Sequence, residues 1–162
     1  MIPTAELADN DNALRMVLVD SRPERRLLFR NLVESTGLAG PDIGEATGAA
    51  EAVELLEQAD RDVVFVEIQP VSEGLETIAA LRNRSEALRI VVCSFHRDAD
   101  TKERALAGGA DVYLDKPVSS FRLTAILRGF FSPHPATADV PSPDLDRPPP
   151  EPVVLGPARR PS

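Results

Sequence analysis

The stretch that decides the fold runs from residue 61 to 82, "RDVVFVEIQPVSEGLETIAALR". Val63 to Val66 are apolar on consecutive positions and mostly β-branched, the pattern of a strand buried on both faces. Pro70 and Gly74 punctuate the segment behind it, and Leu75, Ile78, Ala79 and Leu81 then recur at helical spacing. A helix is expected over Leu75 to Arg84. One residue breaks the apolar run: Glu67 puts a carboxylate at the exit of the strand.

Working outward, the same alternation repeats. "MVLV" at 16, "IVVC" at 90 and "VYL" at 112 read as further buried strands, and Asp42 to Ala46 as a weaker one. Between them, Ser21 and Glu24 read as a capping box around Pro23, with Leu28, Leu32 and Val33 forming an apolar stripe that ends before Gly37. Ala49 to Gln58 carries Ala52, Val53, Leu55 and Leu56, and Ala99 to Ala107 is weakly apolar and stops at Gly108 and Gly109. Ser119 to Phe131 places Leu123, Ile126, Leu127 and Phe130 on one face. Strands alternating with helices in this way predict a parallel sheet covered by helices on both sides.

With 162 residues, 43% of them hydrophobic, the chain has room for one domain with a real core. Residues 15–131 carry the alternating pattern. Residues 1–14 lack periodicity and 132–162 hold ten of the fifteen prolines, so a disordered N-terminal extension and a disordered Pro-rich tail are expected, with no output domain in the tail. A net charge of -8 argues against nucleic acid as a direct partner, since phosphate-backbone binding needs clustered Lys and Arg. Cys93 is the single cysteine, no secretion signal opens the chain, and no run reaches membrane-spanning length. A cytoplasmic protein without membrane contact is expected.

In a sheet of this kind, sites form beyond the carboxyl ends of the strands. Asp20 and Ser21 follow the first strand, Glu67 the third, Ser94 and Phe95 the fourth, and Lys116 and Pro117 the fifth. Lys116 is one of only two lysines, the other being Lys102. Taken singly, these residues are loop positions, helix caps and one ion pair. Together they place two acids, a hydroxyl and an ammonium on one edge.

The combination of "MVLVDS", "RRLLFRNLVESTG", "RDVVFVEIQPVSEG" and "AGGADVYLDKP" resembles a response-regulator receiver domain, the CheY-like module of bacterial two-component signalling. The resemblance implies a flavodoxin-like (βα)5 fold, doubly wound, with a five-stranded parallel sheet in the order 2-1-3-4-5. It also implies a cis Lys116–Pro117 bond. Receivers accept a phosphoryl group on an aspartate after the third strand, with Mg²⁺, the lysine and a hydroxyl neutralising its charge. On that pattern Glu67 stands at the acceptor position, Asp20 and Ser21 at the acidic pocket, Ser94 and Tyr113 at the switch pair, in which the ring moves inward, and Lys116 and Pro117 at the pocket lysine and cis-proline.

The departures from the pattern all weaken that chemistry. Glu67 replaces the acceptor aspartate, and its extra methylene displaces the carboxylate by roughly 1.5 Å. Ser21 replaces a Mg²⁺ ligand with a neutral hydroxyl, which suits a helix cap better than a hard cation. The interval from Glu67 to Gly74 is one residue short, and Phe95 would roof the pocket. Glu67 is therefore expected to reach Lys116 directly as a fixed contact; the bland alternative leaves it in solvent.

The sequence thus predicts a stand-alone pseudo-receiver, not an enzyme, with no cofactor and weak or absent Mg²⁺ binding. It is expected to act without phosphorylation by contacting a protein partner through the face made by the fourth helix, fifth strand and fifth helix. A histidine kinase, a regulator or a second copy of the chain would fit, with Phe121 and Phe131 as apolar anchors. The rival readings are a receiver still phosphorylated by an unusual route and a small-molecule sensor using the degraded pocket. Flavin binding is disfavoured because "DSRPERR" crowds side chains where open backbone N–H groups would be needed. Cys93 reads as a core thiol, Tyr113 as a static, half-buried strand residue, and His96 lacks partners for a metal.

Overall fold

The computed structural model describes residues 13–131. The expectations for residues 1–12 and for the tail at 132–162 lie outside the described residues. In chain order the elements are β1 (Met16–Val19), α1 (Pro23–Ser35), β2 (Gly44–Ala46), α2 (Ala49–Gln58) and β3 (Val63–Val66). Then follow α3 (Val71–Arg84), β4 (Arg89–Ser94), α4 (Ala99–Ala107), β5 (Val112–Asp115) and α5 (Ser120–Gly129). The strands form one five-stranded sheet in the order β2-β1-β3-β4-β5, every pair parallel. This is the doubly wound, flavodoxin-like topology that the resemblance implies.

Period-two alternation splits each strand between two cores. Val17, Val19, Val64, Val66, Ile90 and Val92 face α2, α3 and α4, where Ala52, Ile78, Leu81 and Ala105 meet them. Met16, Leu18, Val63, Phe65, Val91 and Cys93 face α1 and α5, where Val33, Leu123, Ile126 and Leu127 close the second core. All four residues of β1 and of β3 are buried, which is why those strands read as unbroken apolar runs. The Cys93 thiol belongs to this interior, and burial pushes its pKa up to about 12.

Several local expectations are corrected. Helix α1 begins at Pro23 with Arg22 at its N-cap and no side-chain cap, so Ser21, which is exposed, caps nothing. Asp20 Oδ1 instead accepts the Arg22 N–H at 2.9 Å. Leu28 is 70% exposed, and the inward stripe of α1 is Phe29, Leu32 and Val33. Helix α3 starts at Val71, a full turn before Leu75, and Gly74 sits in its first turn. A Cβ there would lie 2.4 Å from Ile68 Cγ1, so only glycine lets the helix close onto the strand exit. The second strand covers Gly44–Ala46 and is shorter than Asp42 to Ala46. Leu14 is buried and its N–H donates to Leu38 O at 2.7 Å, so packing begins before residue 15. Phe131 packs partly against the second core and is no free anchor, whereas Phe121 is 85% exposed.

The amino end of the sheet is tied by arginines. Arg82 donates to the carbonyls of Gly109, Ser85, Glu86 and Leu88 and to Asp111 Oδ2, which also accepts the Ile90 N–H. Arg15 donates twice to Asp62 through its side chain and once through its backbone. The bonds of Arg82 to Gly109 and Asp111, of Ile90 to Asp111 and of Arg15 to Asp62 cross between elements, while those to Ser85, Glu86 and Leu88 close the turn after α3.

Candidate functional site

The last rung of the ladder positions the residues at the carboxyl edge. Asp20 N–H donates to Ala46 O at 3.1 Å, Glu67 N–H to Val19 O at 3.0 Å, and Lys116 N–H to Ser94 O at 2.8 Å. Each side chain therefore leaves from backbone that the sheet still holds. The Gln69–Pro70 and Lys116–Pro117 peptide bonds are both cis, the second as the resemblance implies.

Glu67 and Lys116 meet. Lys116 Nζ lies 2.5 Å from Glu67 Oε2, with the lysine side chain 14% and the glutamate side chain 4% exposed. The contact is short, charge-assisted and nearly removed from water. Glu67 Oε1 is buried and has no hydrogen-bond partner. Beside the pair is a cavity of about 20 Å³ lined by Asp20, Arg25, Arg26 and Phe29, among others, which is the size of a single water molecule.

The acidic side of the pocket rests on Asp20. One oxygen of Asp20 is occupied by the Arg22 N–H, and Asp20 O accepts Arg26 Nη1 at 2.6 Å. Ser21 is exposed. Arg25 Nη1 reaches across to Gln69 Oε1 at 3.1 Å, linking α1 to the turn after β3. Among the described residues no group of three or more His, Cys, Asp or Glu is placed to hold a metal ion.

Ser94 is fully buried and its Oγ accepts the His96 N–H at 3.2 Å. Tyr113 is 7% exposed, more buried than the half-buried position expected, and its hydroxyl donates to His96 O at 2.6 Å. Burial pushes the Tyr113 phenol above its ordinary pKa, while hydrogen bonding with Ser94 pulls the other way. Phe95 is 59% exposed and its ring centroid lies 5.6 Å from Lys116 Nζ, a cation–π roof over the ion pair.

The sequence brought Asp20, Glu67, Ser94, Tyr113 and Lys116 to this edge, and all five are there. It missed the lining role of Arg25 and Arg26 and the carbonyl of His96 as the acceptor for Tyr113. The arginines had a signal: they precede the inward Phe29 by three and four residues, so helical periodicity turns them toward the sheet edge. The carbonyl had none, because any residue would supply it.

A family model described as the response regulator receiver domain matches residues 16–128. Among curated proteins, the chain is 34% identical over 111 residues to the nitrate/nitrite response regulator protein NarL of Escherichia coli K12, covering 66% of this chain and 50% of NarL. It is 28% identical over 106 residues to the chemotaxis protein CheY of Halobacterium salinarum, covering 65% of this chain and 86% of that protein. Among solved structures, the signal receiver domain of a NarL response regulator from Mycobacterium tuberculosis superposes with a TM-score of 0.66 at 25% identity, covering 75% of this chain and 99% of that one. The chain spans about half the length of the Escherichia coli relative.

Proposed function

The chain belongs to the response regulator receiver family of two-component signalling, and from that premise we propose that it is a pseudo-receiver, a module read by a protein partner without being phosphorylated. The observation that carries this reading is the Glu67–Lys116 contact at 2.5 Å. In a receiver, the pocket lysine is expected to meet negative charge brought by the phosphoryl group. Here it is already neutralised by a side chain that is part of the chain itself.

Two further features support a fixed state. Tyr113 is already inward and tied to His96 O, the position that the resemblance associates with phosphorylation. The pocket also suits Mg²⁺ poorly. A hard dication seeks six oxygen ligands, whereas this cavity offers the remaining oxygens of Asp20 and Glu67 and is lined by Arg25, Arg26 and Lys116. The module is not an enzyme on this reading. Its output passes through the face of α4, β5 and α5, where Leu106 at 43% and Phe121 at 85% exposure supply apolar surface.

The test is treatment of the full chain with acetyl phosphate and Mg²⁺, read by intact mass. The wild type and Glu67→Asp are expected to gain no phosphoryl group. Adding Ser21→Asp to Glu67→Asp should recover Mg²⁺ binding, read by calorimetry, before it recovers transfer, because binding tolerates looser geometry than in-line displacement. A phosphorylated wild type would overturn the pseudo-receiver and favour a receiver that still takes phosphate.

A further inference from the structure

A second concavity adjoins the ion pair on its outer side. It is an open groove of about 200 Å³ between α1 and the turn that joins β5 to α5. Leu28, Phe29 and Leu32 line it from α1, Phe95 and Val118 line it from the segments after β4 and β5, and Arg25 and Lys116 are its charged groups. Leu28 and Phe95 are 70% and 59% exposed, so two large apolar side chains that the cores leave out border one space. The volume limits the occupant. It equals the share of roughly seven water molecules in the liquid and lies below the roughly 300 Å³ at which sites for drug-sized ligands begin. One ring with a short side chain fits, and a nucleotide or a fused-ring cofactor does not.

Charge sets the polar group that the occupant must carry. None of the lining residues is acidic. Lys116 is neutralised by Glu67, whereas Arg25 donates to the neutral Gln69 Oε1. Arg26, one residue on, already pairs with Glu45. A planar guanidinium that can exchange one neutral acceptor for two carboxylate oxygens selects a carboxylate. Phe29 and Phe95, on different elements, supply rings against which an aromatic body can pack.

We propose that the groove is a binding site for a small aromatic carboxylate, with its ring among Leu28, Phe29 and Phe95 and its carboxylate on Arg25. Such a ligand bridges α1 and the segments after β4 and β5 beside the Glu67–Lys116 pair, and so supplies the pocket with an input that needs no phosphoryl transfer. The inference goes beyond the pseudo-receiver reading and does not depend on it, since a receiver that takes phosphate would carry the same groove. An inorganic anion lacks the body that Leu28 and Phe95 would cover, and a purely apolar molecule leaves Arg25 unused.

The experiment is titration of the full chain with hydrocinnamate, its amide hydrocinnamamide and acetate, followed by backbone amide shifts in NMR. The buffer holds no Mg²⁺ or phosphodonor, so the result is separate from that of the acetyl phosphate test. Hydrocinnamate is expected to saturate with a Kd of about 1 mM, as a ligand of so few atoms allows, and to shift residues 25–32, 95–97 and 116–118. The amide, alike in shape but uncharged, should bind at least about fivefold more weakly, and acetate should not saturate. Arg25→Met keeps a good helix former on partly exposed helix surface and should bring acid and amide to the same affinity, while Phe95→Ser should weaken both. Equal affinity of acid and amide in the wild type, an acid preference that survives Arg25→Met, saturation by acetate at the same residues, shifts confined elsewhere, or no saturation by about 20 mM hydrocinnamate would each overturn the proposal.

Discussion

The two ends of the sheet each hold a cation–carboxylate pair, and they are built on different terms. At the amino end, the Arg82–Asp111 pair also carries backbone groups: Arg82 satisfies four carbonyls and Asp111 the Ile90 N–H. At the carboxyl end, Lys116 and Glu67 hold each other, and Glu67 Oε1 has no partner at all. Ion pairs that complete the hydrogen bonding of the backbone are architecture. A pair that holds only itself ties no backbone group into the sheet.

The largest expected effect follows from removing both partners at the amino end. Arg82→Met with Asp111→Ala should cost about 3 kcal/mol in urea unfolding, because several part-buried carbonyls and one N–H lose their partners along with the ion pair. Gly109 adds to the constraint. Its φ of 121° is open to glycine, and a Cβ there would lie 2.9 Å from Arg82 Cγ. A double variant as stable as the wild type would break the comparison, because the amino end would then be as dispensable as an exposed ion pair.

Legibility in the sequence divides along the same line. The alternation of strands and helices and the two cores are readable because burial writes itself as period: β3 is four buried residues, and Leu123, Ile126 and Leu127 recur on one face of α5; the order of the strands is implied by the family resemblance alone. The start of α3 was not readable. Gly74 and Pro70 look like loop residues, yet Gly74 serves close packing against Ile68 inside the first turn. Leu28 misled for the converse reason, since an apolar residue at helical spacing was assigned to the core and in fact lines the surface groove. At the site, residue types and positions located Glu67 and Lys116, while the orphaned oxygen and the crossing of Arg25 to Gln69 depend on side-chain geometry that no spacing encodes.

A smaller effect is expected inside the carboxyl pocket. Tyr113→Phe removes the bond to His96 O and should cost about 1 kcal/mol in the same unfolding experiment, with the ring still buried. If instead the substitution were neutral and the ring became mobile by NMR, the pocket would be held in place by Glu67 and Lys116 alone. Smaller still is a pH effect at the amino end. Hydrogen bonds from Arg15 hold the Asp62 carboxyl below the usual carboxylate range. A lowered pKa stabilises the fold fully above the unfolded value of about 3.9 and loses that contribution as pH falls below it. Wild type and Asp62→Asn should therefore differ most in urea midpoint at neutral pH and converge toward pH 3, the gap being modest because Arg15 is half exposed and salt screens the pair.

The smallest effect is expected from replacing the carboxyl-end pair as a whole. Lys116→Met alone should cost about 2 kcal/mol, because it leaves the Glu67 carboxylate buried with both oxygens unpaired. Replacing both, Glu67→Leu with Lys116→Met, should return stability to within about 1 kcal/mol of the wild type, since two buried charges are exchanged for apolar groups of similar volume and no backbone group loses a partner. The contrast with the amino end is then a difference in double variants and not in distances: about 3 kcal/mol at Arg82 and Asp111, near zero at Glu67 and Lys116. Denaturant titration of the wild type and these three variants on one day decides it. A carboxyl-end double variant as damaged as the amino-end one would show that Glu67 and Lys116 are retained for stability, and the pocket's charge pattern would need no signalling reading at all.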